Sequence, residues 1–568
     1  MNVKNLYEPN EEITVQSYFD KFGIKDIKEY INPTGKYIDN PFLYKNMIEA
    51  VQEIKYWKQQ NEVTIYIVHD SDVDGLCSAI IVYDYLFNLI PNAYIKVLLH
   101  DGKERGLDDD KILKQIIKDK PDLVIVPDAG TNNKKQAKKL SDTGIGLIVL
   151  DHHDFDEDCN ETGILVNNQN KESNVQRCGS GTLVVHKFLQ ALDGEFNFNW
   201  NKKYIDLVAL SLISDSMDMS SMENRIYYCY GLEKINNITN KFLKLLINKF
   251  IGDKPYTQRD ISFKIVPKLN AVIRSDKQEN KQRVFLAFLE MDDLEEVCKI
   301  CEDAHKEQIK ICEEQININQ DKYNLDDNVV FLVTQTLPRS YSGLIAGKLM
   351  SKAGKKPAIV GKVKNGVMIG SIRSPIDIKQ QLEDSNLVEW VKGHGGTAAG
   401  ISIKQENIEP LIKYFNNMEL DYNTTDSVLK TYKIKDVPEK LFEIFYGMDY
   451  LWSSNGILQP LFCLTDIVFN TSSINVLGSN KRTLKVHIEG VDIIIFNVTK
   501  EDKVNFGLGR IENDEFIEDK KDIDLKMDCI GSLGINIWRN KKTDQIIVDK
   551  YEIEKYNKKN KTNYFKKG

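Results

Sequence analysis

Between residues 60 and 235 the chain alternates short apolar runs with polar loops and longer stretches of helical period. The runs Val63 to Val68, Tyr94 to Leu99, Leu123 to Val126 and Leu147 to Leu150 are rich in Val and Ile, as strands covered on both faces should be. Strands that alternate with helical stretches predict a parallel sheet packed between helices. From Gln282 to Lys322 the apolar positions Phe285, Phe288, Leu289, Val297 and Ile300 recur at helical spacings, which predicts a connecting helix. A second α/β pattern follows from Asp327 to Asn416, with a strand at Val329 to Val333, a helix from Ser342 to Ala353 and a strand near Ala358 to Val360. Beyond Tyr432 the runs Leu484 to Ile488, Val491 to Phe496 and Gln545 to Asp549, separated by Gly and Asn turns, predict a small β-barrel. The expected organisation is an N-terminal segment (1–45), a parallel-sheet domain (46–235), a helical connector (236–325), a smaller α/β domain (326–425), a β-barrel domain (426–553) and a basic tail (554–568).

Composition narrows the class without fixing the function. The 568 residues are 42% hydrophobic and 28% charged, which excludes disorder, collagen and a disulfide scaffold. The longest apolar stretch, Leu76 to Ile90, is interrupted by Asp84 and falls short of the roughly 18 to 20 residues of a membrane span. The start, MNVKNLYEPNEE, has no basic-then-apolar signal pattern, and nine scattered cysteines predict reduced thiols. A cytoplasmic protein with no membrane association is expected. Lys+Arg 76 against Asp+Glu 84 gives a net charge of -8, which neither favours nor excludes nucleic acid. The end, KYNKKNKTNYFKKG, is a solvated tail or a phosphate-attracting arm.

The chemistry lies where the predicted strands end. Val63 to Val68 runs into HDSDVDG, which sets Asp70, Asp72 and Asp74 at alternate positions of a turn. VIVPDAG offers Asp128, LIVLDHHD offers Asp151, His152 and His153, and LSLISDSMD offers Asp215. In open α/β sheets the carboxyl ends of the strands share one crevice, so these groups should converge. Carboxylates so close repel one another and push at least one toward protonation unless a cation compensates. Oxygen donors with imidazole and no thiolate suit Mn²⁺ or Mg²⁺, two per site, as a phosphoester hydrolase requires. A calcium loop is disfavoured, because position 81 is Ile where a bidentate Glu would be needed. Cys298 and Cys301 share hook spacing but fall within the expected helix and read as packing; CGSGT at Cys178 to Thr182 reads as a helix start.

Taken in order, HDSDVDG, VPDAG, LDHHD and SLISDSMDM resemble the four acidic motifs of the DHH phosphoesterase superfamily. VALSLISDSMDMSSMENRIYYCYGL, FKIVPKLNAVIRSD, GSIRSP and GHGGTAAG narrow the resemblance to the RecJ family of single-stranded-DNA-specific exonucleases. It covers nearly the whole chain. The resemblance implies a DHH domain, a smaller DHH-associated domain and an oligonucleotide-binding (OB) barrel. It implies metal ligation by Asp72, Asp74, Asp128, His152 and Asp215, support from Asp70 and Asp151, and a phosphate-facing His153. It further implies DNA-backbone contacts at Asn270 and Arg274, a 5′-end contact at Arg373 and Ser374, and a signature histidine at His394, displaced by one position from its usual register. His100 and Arg105 only partly match a stretch that binds nucleic acid, and Asn167-Asn168 stands where Asn-Pro is common.

The implied activity is 5′ to 3′ digestion of single-stranded DNA to 5′-mononucleotides, in repair and recombination, by a monomer with a single-strand-binding protein or a helicase as candidate partners. A phosphodiesterase for short oligoribonucleotides or cyclic dinucleotides would share the metal motifs. The expected C-terminal barrel and the Asn270–Arg274 element argue against it, since a dinucleotide needs neither. A non-catalytic DNA-binding scaffold would have no reason to keep so many repelling carboxylates.

Overall fold

The computed structural model describes residues 2–252, 255–337, 339–394, 397–420, 426–513, 515–538 and 541–556; most of the basic tail lies outside the described residues. Among these, residues of 28–422 and 454–456 make one compact unit, and those of 1–27, 423–453 and 457–568 make another.

The larger unit begins its sheet with β1 (Val63–Val68), β2 (Ala93–Leu98), β3 (Leu123–Pro127), β4 (Gly146–Asp151) and β5 (Ile164–Asn167). They pair in the order β2-β1-β3-β4-β5, all parallel. Successive residues feed opposite cores: Ile65, Ile67, Leu123 and Ile125 pack into one buried cluster, while Tyr66, Val68, Val124 and Val126 pack into the other. Removing each such Val or Ile from water contributes about 1.5–3 kcal/mol, which explains runs without polar alternation. Strand order reverses between β1 and β3, so their carboxyl ends open onto a crevice with no crossover helix above it. The sequence pattern did not reveal β5, which is only four residues long.

Helix α1 (Val73–Leu89) starts at the end of β1, with the Asp72 side chain accepting the Gly75 N–H at 3.2 Å as its cap. Gly75 is required there: a Cβ would lie 2.2 Å from the carbonyl oxygen of Asp70. Helices α2 (Gly181–Phe196), α3 (Ile205–Ser214) and α4 (Met222–Gly231) share one buried cluster with α1, and the helices Asp110–Asp119 and Lys134–Asp142 pack into the other.

The connector departs from the expected single helix. Gln278–Phe288 and α6 (Leu294–Ile318) are separate, and α5 (Val266–Ile273) precedes both. The break falls where Glu290 adopts a left-handed φ of 61° and Asp293 caps the next helix through the Glu296 N–H. Cys298 and Cys301 are buried in α6, as packing predicts; all nine cysteines are free thiols.

The second sheet has β6 (Val330–Thr334), β7 (Ala358–Lys364), β8 (Val367–Arg373), β9 (Val388–His394) and β10 (Ala398–Lys404), with α7 (Ser342–Lys352) beside it. Its order is β9-β10-β8-β7-β6, antiparallel except for β6 with β7.

In the smaller unit, β11 (Thr431–Lys433), β12 (Phe462–Asn470), β13 (Ile474–Leu477), β14 (Thr483–Ile488), β15 (Val491–Ile495), β16 (Asp524–Trp538) and β17 (Lys541–Lys555) form one sheet in the order β11-β12-β16-β17-β15-β14-β13. The expected barrel is not closed among the described residues: β11 and β13 remain edges. The two longest strands, β16 and β17, form a hairpin with a bulge at Ile530/Gly531, and such a bulge bends a ribbon of this length. No helix among the described residues is long and apolar enough to cross a membrane.

Candidate active site

Four strand-end and helix-end segments bring the predicted acids together. Asp128 follows β3 in the left-handed region, φ 59°, a conformation Asp tolerates better than most residues. Its N–H continues the sheet by donating to the Leu150 carbonyl at 2.8 Å. His152 leaves β4 with Nε2 3.3 Å from Asp128 Oδ1, 3.5 Å from Asp215 Oδ2 and 3.8 Å from Asp74 Oδ2. Asp215 arrives as the residue that ends α3. Two triads, Asp128 with His152 and His153, and Asp74 with His152 and Asp215, each hold donor atoms within 4.8 Å of one another.

The start of α2 fixes Asp74. The Gly181 and Thr182 N–H groups each donate to its carboxylate at 2.8 Å, and the Thr182 hydroxyl donates at 2.5 Å. A helix N-terminus stabilises such a charge through its free N–H groups and its dipole. CGSGT is thus a helix start, as read from the sequence, and it also carries a role that reading missed. A Ser N-cap followed by Gly-Thr and an apolar run was the available signal. Gly181 also makes room for Asp128, since a Cβ there would stand 2.3 Å from Asp128 Oδ1.

The electrostatics of the cluster call for positive charge. Burial, then Asp74, Asp72, Asp70 and Asp215, push the Asp128 carboxyl well above its ordinary range, and its Oδ1 is buried without a hydrogen-bond donor. Burial with Asp74 and Asp72 raises Asp215 to about 8. Burial, then Asp72, also raises Asp70. His152 is lowered, first by burial and then by the neighbouring His153. Burial alone would lower His153 too, but the charge and hydrogen bond of Asp151 lift it to about 9.

The remaining expected residues occupy distinct places. Asp151 is buried and accepts from the N–H groups of His152 and Thr131 at 2.8 and 3.0 Å and from His153 Nδ1 at 2.7 Å. Asp70 meets Arg105 Nε at 3.3 Å. Asp72 lies outside both triads and faces Arg274 Nη2 at 3.5 Å, while Arg274 Nε donates to the Ser71 carbonyl at 3.1 Å. Asn270 keeps a buried Oδ1 without a donor. Arg373 ends β8; burial and the charge of Arg274 hold its guanidinium below its ordinary value. Desolvation, with Arg274 and Arg105, likewise holds Lys103 at about 8. These cations crowd one another, so an anion among them would be stabilised. Ser374 does not offer a free hydroxyl: its Oγ donates to the Ile376 carbonyl at 2.5 Å and closes a local turn. His394 ends β9, and its side chain lies outside the described residues.

Two buried cations, whose burial the sequence pattern does not display, lie in the helices of the same unit. Lys187 of α2 is fully buried and pairs with Glu223 of α4, and its Nζ donates to the Asp39 carbonyl at 2.8 Å. Arg225, also fully buried, pairs with Glu233 at 2.6 Å and donates to the Tyr30 carbonyl at 3.1 Å. Residues 30–39 thereby supply partners to two buried cations.

Residues 64–212 match the model of the DHH family, N-terminal domain. The matched residues include the parallel sheet that carries Asp70, Asp128 and Asp151 on its strand ends. Across its length the chain is a homologue of proteins named as single-strand DNA-specific exonucleases. It is 29% identical over 572 residues to YorK of the SPbeta prophage in Bacillus subtilis, covering 94% of each chain. To the single-stranded-DNA-specific exonuclease RecJ of Bacillus subtilis it is 24% identical, over 90% of this chain and 64% of that one. The crystal structure of RecJ in complex with Mn²⁺ from Thermus thermophilus shares the fold with a TM-score of 0.72 at 19% identity, covering 97% of this chain and 79% of that one.

Proposed function

We propose that this protein is a metal-dependent 5′ to 3′ exonuclease that digests single-stranded DNA to 5′-mononucleotides. The observation that carries the reading is the convergence of Asp74, Asp128, His152 and Asp215 around a buried carboxylate oxygen that no donor satisfies. Homology to exonucleases so named along nearly the whole chain supports the substrate. In this reading residues 46–235 are the catalytic domain, 236–325 the connector, 326–425 the DHH-associated domain and 426–553 the domain that holds the strand downstream.

The donor set, carboxylate oxygens with one imidazole, fits Mn²⁺ or Mg²⁺. Asp72, Asp74, Asp128, His152 and Asp215 would hold two ions; Asp72 would exchange its Arg274 contact for this role. When bound, such ions supply the charge that screens the phosphate and favours deprotonation of the attacking water. The chain's own groups do the rest. His153, a cation at neutral pH, faces the phosphoryl oxygens, and Arg373 adds a second positive charge there. Arg274 and Asn270 hold the backbone phosphates, with Arg105 and Lys103 extending the cationic rim. Phosphate contact without base readout makes cleavage sequence-tolerant and sensitive to salt.

Digestion of an oligonucleotide labelled at one end or the other tests the reading. With Mn²⁺ present, mononucleotides should be released from the 5′ end of the single strand, none from a blunt duplex, and none in EDTA. Binding without cleavage under every metal would overturn it in favour of a scaffold. Cleavage confined to di- to tetranucleotides would overturn it in favour of a small-substrate enzyme.

A further inference from the structure

We propose that Thr131 and Asn167 are positioning residues of this reaction, forming a hydrogen-bond relay that fixes the direction of the His153 ring. The proposal rests on the functional reading above for the role of His153, and on the following geometry for the relay itself.

Asn167 ends β5 and is fully buried. Its amide orientation is set, because Oδ1 accepts the Gln169 N–H at 2.6 Å. Both hydrogens of Nδ2 are then committed, one to Thr131 Oγ1 at 2.8 Å and the other to the His153 carbonyl at 2.9 Å. Since the Thr131 hydroxyl accepts from Asn167, its own hydrogen is free to donate, and Asp151 Oδ2 lies 2.6 Å away. The Thr131 N–H donates to the same oxygen at 3.0 Å. Asp151 therefore presents one oxygen to Thr131 and the other to residues 152 and 153, where it accepts the His152 N–H at 2.8 Å, the His153 N–H at 3.3 Å and His153 Nδ1 at 2.7 Å.

A carboxylate has no hydrogen to give, so the hydrogen of the Nδ1 contact belongs to His153. Nε2 is then the nitrogen left for the substrate. Asn167 holds the same residue a second time through its carbonyl, so ring and backbone are fixed from one amide. Thr131 lies in the loop after β3 and Asn167 at the end of β5, and neither reaches the acids around His152. Their contribution acts through Asp151 and His153, and outer partners of this kind set ring orientation in catalytic centres. Without the Thr131 hydroxyl, Asp151 loses its shortest donor on Oδ2 and can rotate, and the imidazole rotates with it.

Thr131→Val, which keeps shape and removes the hydroxyl, and Thr131→Ser, which restores it, form the test. The Val variant should lose roughly 10- to 100-fold in kcat with KM within about twofold of the parent, and the Ser variant should recover most of the loss. In parallel, nitrogen-15 NMR of histidine-labelled protein should show the bonded His153 Nδ1 proton in the parent and in Thr131→Ser, and lose it in Thr131→Val. A Val variant that keeps kcat, one that loses kcat while the proton signal persists, or a Ser variant as impaired as Val would each overturn the relay. If the parent protein cleaves no single-stranded DNA, the functional reading fails, and the NMR comparison still decides the relay on its own.

Discussion

Asp128→Asn is expected to reduce exonuclease turnover by roughly 10³-fold or more, because it removes a buried carboxylate of the proposed metal-binding set. The same substitution should leave the metal-free protein at least as stable as the parent. Asp128 is 2% exposed and meets the carboxylates of Asp74, Asp72, Asp70 and Asp215. A neutral amide of equal shape relieves that repulsion. The two effects have opposite signs, and few unrelated defects would produce both. Assays of turnover in Mn²⁺ and of thermal unfolding in EDTA read them separately. Gly181→Ala probes the same oxygen from outside, since its Cβ would stand 2.3 Å from Asp128 Oδ1. Displacement of the carboxylate by about 1 Å should cost roughly 10²-fold in activity. An Asp128→Asn protein that keeps its turnover would contradict this account of the acids.

The second large effect concerns stability away from the chemistry. Glu223→Gln removes the carboxylate partner of the buried Lys187 ammonium, leaving it neutral acceptors such as the Asp39 carbonyl and the Tyr227 ring face, and should destabilise the larger unit by about 3–5 kcal/mol. Glu223 also accepts the Asp39 N–H at 3.0 Å, so the substitution loosens residues 30–39 as well. Urea denaturation followed in Mn²⁺-free buffer measures the loss. A double variant, Lys187→Met with Glu223→Leu, should recover much of it, because removing both charges removes the desolvation penalty that a lone cation incurs. A Glu223→Gln protein within about 1 kcal/mol of the parent would mean that Lys187 finds another counter-charge.

What could be read from the sequence follows physical lines. Asp70, Asp128, Asp151, His152 and His153 were legible because strands buried on both faces announce themselves, and parallel strands must deliver their carboxyl ends to one side. Asp215 was legible only beside the others, as the polar end of an apolar helix. The strand order that makes the crevice was not legible, since short Val-rich runs carry no information about their neighbours. Nor was the clamp on Asp74, because Gly181 and Thr182 act through backbone N–H groups that sequence patterns do not display. The burial of Lys187, Glu223 and Arg225 was not legible, because it depends on residues 30–39, which are distant in the chain. The break at Glu290 was hidden by an apolar period that continues across it, and the open sheet of the smaller unit by the resemblance of its short strands to those of a barrel.

Anomalous X-ray scattering from crystals grown with Mn²⁺ tests most directly whether the acids and His152 form a metal centre. Two Mn²⁺ peaks about 3.5 to 4 Å apart are expected, held by Asp72, Asp74, Asp128, His152 and Asp215, with one or both lost in Asp128→Asn. Peaks elsewhere in the molecule and none among these side chains would contradict such a centre.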